Sequence, residues 1–164
     1  MKTDTIAVWA MAGTWFTGVM TMLALLCAAI ALNTWRKQEQ TKAKMEFKKA
    51  LLSLRNLLLF MPETWTRDQL ALGEKLKNSP GYAKTMNYIE VGVAENLFAF
   101  TKALNHANDC WVLCEHLFDG TEVSSKWESA QDCMNNYLKN RKGKDDVFNA
   151  LNGIYSMRFV FNHK

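Results

Sequence analysis

The residues best suited to chemistry stand late in the chain, in the run Arg158-Phe159-Val160-Phe161-Asn162-His163. An arginine fork binds two phosphoryl oxygens at once and stays charged at any physiological pH. Histidine exchanges protons near neutrality and can serve as acid or base. The pair therefore suits work on a phosphate ester; the bland alternative is an arginine and a histidine in solvent. A second cluster, His106, Cys110 and Cys114 with Cys133 downstream, consists of residue types that bind zinc. Its spacing argues against that role. Residues i and i+8 lie ~12 Å apart along a helix, too far to share one ion through ~2.3 Å bonds. These cysteines read as core residues, no metal is expected, and no cofactor is implied. The sequence has no glycine-rich phosphate loop and no Gly-x-Ser-x-Gly element. Glu90 and Glu95 do not share a helix face, so no carboxylate pair argues for hydrolysis.

The elements that must carry these residues are helices. The chain has 164 residues, room for one domain plus an anchor, and only 2 prolines and 8 glycines. No charged residue occurs from Thr5 to Trp35. As a helix, Ile6 to Leu32 reaches about 40 Å, more than a ~30 Å hydrocarbon core requires. A secretory signal has a much shorter apolar stretch, so cleavage is not expected. We read residues 1–35 as a transmembrane anchor and residues 36–164 as a helical bundle on its cytoplasmic side.

The flanks set the orientation. Arg36, Lys37, Lys42, Lys44, Lys48 and Lys49 follow the span, whereas Lys2 and Asp4 precede it. The positive-inside rule places the C-terminal side in the cytoplasm and the N-terminus outside. Trp15 and Trp35 lie about 30 Å apart along a helix, as two interfacial aromatics require. Residues 36–61 carry seven basic and two acidic side chains, residues 62–164 twelve and thirteen. The basic excess lies next to the span, where anionic headgroups account for it. Nucleic acid is not demanded. In a reducing compartment Cys110, Cys114 and Cys133 are free thiols, and Cys27 falls in the membrane.

Within the span, Ala10, Thr14, Thr17, Thr21, Ala24, Ala28 and Ala31 recur at spacings of four and three, placing a small residue at every a and d position of one heptad phase. Such a seam lets membrane helices approach closely and fits left-handed self-association. A polar pore is disfavoured, since only threonine hydroxyls would face water.

Beyond the span, Phe47, Leu51, Leu54, Leu58 and Met61 form one apolar helical face, which Pro62 ends. Thr66 with Gln69 forms a capping box for a short helix through Lys77. Ser79-Pro80 opens the next helix, through Tyr88, Leu97 and Phe100 toward Leu104, which continues or bends near Asn105–Asp109. Asp119-Gly120 is a turn, Ser125 with Glu128 opens a helix ending near Lys139 with Gly143 beyond it, and Asp145 caps a last helix that includes Phe159. The expected fold is all-α, a bundle of about five helices.

On these residues the chain resembles the HEPN domains, four- to five-helix bundles with Arg-x4–6-His late in the chain. The resemblance implies metal-free RNA cleavage across a dimer, Arg158 stabilising phosphate charge and His163 acting in acid–base chemistry. Active members usually have a polar residue after the arginine, where this chain has Phe159. With the anchor included, the chain is similar to the small membrane accessory proteins of type VI-B CRISPR systems. That implies a membrane homo-oligomer of the bacterial inner membrane that strengthens anti-phage defence by damaging membrane integrity. An RNA-guided nuclease or another defence protein would be its partner, and RNA a further one. Asn87-Tyr88-Ile89-Glu90 also looks like a signature of anchored helical proteins of bacteria. Two other readings stay open: a HEPN-type anchored ribonuclease, and a non-catalytic anchored interaction or exclusion module.

Overall fold

The computed structural model describes residues 2–78 and 88–161. Among them are five α-helices and no strand: α1 (Lys2–Leu58), α2 (Arg67–Asn78), α3 (Tyr88–Cys114), α4 (Glu122–Leu138) and α5 (Lys144–Tyr155), with a 3-10 turn at Glu115–Leu117. The chain divides into two compact units, Met1–Glu39 and Gln40–Lys164.

The first unit is helical throughout its described residues. From Val8 to Glu39 every side chain is exposed, Trp9, Trp15, Phe16, Leu23 and Ile30 among them. The segment is long and apolar enough to cross a membrane, and none of its apolar window is buried. Its threonine hydroxyls are satisfied within the helix: Thr14 donates to the Ala10 carbonyl at 3.0 Å, Thr17 to Gly13 and Thr21 to Thr17 at 2.8 Å. Threonine bonded this way presents a methyl group outward and leaves no donor unmet in an apolar surrounding.

The second unit has a core built on the remaining turns of α1. Phe47, Leu51, Leu54 and Leu58 are fully buried and Met61 nearly so, so the face expected from their spacing is the buried one. The helix stops at Leu58, and three i→i+3 bonds, from Leu59, Phe60 and Met61 to Asn56, Leu57 and Leu58, tighten its exit before Pro62. The capping box of α2 is present: the Thr66 amide donates to Gln69 Oε1 at 3.0 Å and the Gln69 amide to Thr66 Oγ1 at 3.2 Å. Helix α3 runs without a break through Asn105–Asp109 to Cys114. The proposed Ser79-Pro80 start lies outside the described residues, as does Asn87.

Three boundaries differ from those read in the sequence. Helix α4 starts at Glu122, not at Ser125, because its apolar period already begins at buried Val123 and extended Thr121 precedes it. At its other end Asn140, with φ 54°, takes the left-handed position, and the Arg141 amide closes the turn on the Asn136 carbonyl at 2.8 Å. Gly143 instead becomes the N-cap of α5, which starts at Lys144, and Asp145 falls in the first turn. Finally, α5 ends at Tyr155, so Phe159 is buried from a loop rather than from a helix.

Candidate functional site

The loop after α5 is held by contacts with α1. Lys48 Nζ donates to the Met157 carbonyl at 3.0 Å, and the same ammonium lies 5.2 Å from the ring centroids of Tyr155 and Phe159. Phe159 and Val160, which follow this anchor point in the chain, are buried. Phe159 packs edge-on against Phe118, centroids 5.2 Å apart. With its neighbours pinned inward, Arg158 is left exposed. It stands on this loop and not on the last helix, where the sequence reading had placed it.

Arg158 forms part of the wall of a cleft of about 790 Å³. Helix α1 contributes Gln40 and Lys44, the turn after α3 contributes His116 to Thr121, the start of α4 adds Glu122 and Val123, and the last loop supplies Met157, Arg158 and Phe159. Gly120 makes the turn with φ +65°, and the Thr121 amide and hydroxyl both donate to the Phe118 carbonyl, at 3.0 and 2.7 Å. Lys44 is the notable member. It is 5 % exposed, the one buried charged side chain among the described residues, and its ammonium lies 5.6 Å from the Phe118 ring centroid. Burial holds its pKa below the ordinary lysine value, partly opposed by the nearby Cys114.

The structure thus brings Arg158 together with Lys44 and His116. His163 lies outside the described residues. Sequence reasoning missed Lys44 because it read as one of several solvated juxtamembrane lysines. A usable signal existed: Lys44, Phe47, Leu51 and Leu54 share the 3-4-3 spacing of the buried face. His116 carried no such signal, since its place depends on the turn after α3.

The cysteines form no competing centre. Among the described residues no three His, Cys, Asp or Glu side chains group to hold a metal ion. Cys110 Sγ is 3.9 Å from His106 Nε2, and Cys114 Sγ donates to the Cys110 carbonyl at 3.1 Å. Burial pushes the Cys114 thiol up to about 12, helped by Cys110, and pushes Cys110 upward too. All four cysteines are free. A second cleft, about 760 Å³, lies between α2 and α3; Leu70, Leu97 and Phe98 give it an apolar wall, and Lys102, His106 and Asp109 also line it. The seam residues Ala10, Thr14, Thr17, Thr21, Ala24, Ala28 and Ala31 are all exposed on α1. No family model, curated protein or solved structure matches the chain.

Proposed function

We propose that the chain is a single-pass inner-membrane protein that assembles into an oligomer and acts as an effector or accessory of bacterial anti-phage defence by altering membrane permeability. One observation carries the membrane part of this reading: an unbroken exposed run from Val8 to Glu39, rich in large apolar side chains. Water-soluble monomers rarely expose more than a few hundred Å² of contiguous apolar surface. Lipid is the medium in which such a helix needs no protein cover. The basic residues that follow support a cytoplasmic second unit.

The seam from Ala10 to Ala31 supports the oligomer. Its threonine hydroxyls bond to their own helix, so close packing rather than interhelical hydrogen bonding would drive association. The defence role follows from the resemblance to the type VI-B accessory proteins, with an RNA-guided nuclease as the partner class. The test has two parts. Light scattering of the detergent-solubilised chain should give an oligomer that Thr17→Leu/Thr21→Leu breaks down. Induced cells should take up a membrane-impermeant dye. A monomeric wild type with intact cells removes the proposal.

The exposed guanidinium of Arg158 in its cleft favours a second reading, an anchored HEPN-type ribonuclease. RNA cleavage lost in both Arg158→Ala and His163→Ala would support it; full activity in His163→Ala excludes it.

A further inference from the structure

Helix α3 buries one face and exposes large apolar side chains on the other. Phe100, Leu104, Ala107 and Cys114 form the inner face. Opposite them Phe98, Val112 and Leu113 are 62 %, 63 % and 72 % exposed, with Lys102, Asn105 and Asp109 exposed between. Phe98, Lys102, Asn105, Asp109 and Val112 follow one another at spacings of four and three, so they form a single stripe along the helix. Helix α2 approaches α3 to one side of that stripe: a side chain at Gly73 would collide with Leu97, which points more than a quarter turn away from Phe98. Among the described residues neither Lys102 nor Asp109 belongs to an ion pair.

The stripe is complementary to itself. From the midpoint between Asn105 and His106, Lys102 and Asp109 lie about 5 Å away in opposite directions, and Phe98 and Leu113 about 11 Å away. A twofold contact between identical chains needs this property, because each side must present what the other receives. With two α3 helices antiparallel about that midpoint, Lys102 meets the partner's Asp109 and Asp109 the partner's Lys102, while Phe98 and Leu113 cover each other in the same reciprocal way. Parallel helices would set like charge on like charge at both positions, which is costly. We propose that the outward face of α3 is a homodimer interface in which two copies of the chain pack α3 against α3, antiparallel. One helix face on each side makes a small contact, of the size found in weak and transient complexes. The interface does not rest on the α1 seam, since all its residues belong to the second unit.

The test is disulfide cross-linking of the full chain in intact cells, in a Cys27→Ser background that removes the exposed native thiol. Asn105→Cys, at the centre of the contact, should form a dimer on oxidation. Glu128→Cys, exposed on α4, should not. Phe98→Cys should cross-link to co-expressed Leu113→Cys but not to itself, because antiparallel packing sets the two copies of residue 98 about 22 Å apart along the helix. Lys102→Glu and Asp109→Lys each turn two attractive pairs into two repulsive ones, so each should lower the Asn105→Cys dimer about fivefold or more. The double variant Lys102→Glu/Asp109→Lys exchanges the charges and should restore it. All these positions are exposed, so the core is spared. Absence of an Asn105→Cys dimer overturns the proposal, as does a Glu128→Cys dimer of equal yield, a cross-link to another protein instead, or a double variant that stays as weak as the single ones. Self-cross-linking of Phe98→Cys overturns the antiparallel arrangement. An oligomer in detergent beside a failed cross-link removes the α3 interface and leaves the anchored effector standing; a cross-link beside a detergent monomer does the reverse.

Discussion

Phe47→Ala tests the claim that the turns of α1 beyond Gln40 are the spine of the second unit. The ring is fully buried and has four aromatic neighbours: Trp111 and Trp127 with centroids at 5.2 Å, Phe118 and Phe159 at 6.2 Å. Burial of such a side chain stabilises by about 1.5–3 kcal/mol, and an aromatic pair adds about 0.5–1.5 kcal/mol. Four pairs sharing one ring do not add independently. With the cavity left behind, the loss should be about 3–5 kcal/mol. For a unit of this size that lowers the thermal midpoint by roughly 10–20 °C. Near-ultraviolet circular dichroism of the full chain in detergent is the suitable assay, because it follows packed aromatic rings rather than the helix of the first unit. Phe60→Ala is the control: that ring is 77 % exposed, and its removal should change stability by no more than ~0.5 kcal/mol. A Phe47→Ala midpoint within ~2 °C of wild type would refute the assignment of this part of α1 to the core.

Three further outcomes are expected. Stability should fall as pH rises above about 9: the unfolded Cys114 thiol ionises near its ordinary value, whereas burial holds the folded thiol up to about 12, so the folded state binds more protons in that window. Denaturant midpoints measured across it should decline less steeply in Cys114→Ala; an unchanged slope counts against a buried neutral thiol. Thr66→Ala removes the hydroxyl half of the α2 capping box and should cost about 1 kcal/mol in urea unfolding, a loss that Thr66→Ser largely restores. Tyr137→Phe removes the hydroxyl that donates to the Pro62 carbonyl at 2.6 Å and should cost about 1–3 kcal/mol by leaving that acceptor unmet; a neutral result means that water replaces the hydroxyl.

Much of the architecture is legible from local pattern. The charge-free run to Trp35 and the four-three spacing from Phe47 to Leu58 concern residues within a few turns of each other, so helix geometry alone relates them. The Thr66–Gln69 box is also a contact between near neighbours, and it forms. The boundaries that shifted involve competition between adequate local signals. Ser125 and Glu128 match a capping box, but buried Val123 draws the helix start earlier, with Thr121 in the N-cap position; Gly143 and Asn140 both suit a helix end, and Asn140 takes it.

The candidate site could not be read this way. Its wall joins Lys44 to Arg158, more than a hundred residues apart, through a turn at Phe118–Thr121 that belongs to neither. Arg158 is exposed because Lys48 grips the Met157 carbonyl while Phe159 and Val160 turn into the core. Lys44 is buried because its helix face is covered, and burial, not residue type, lowers its pKa. The sequence by itself determined the all-helical composition, the apolar N-terminal helix and the α1 face that becomes core, since each follows from residues one or two turns apart. Only the tertiary structure decided which charges meet in the cleft, because that depends on contacts between distant segments that no local periodicity encodes.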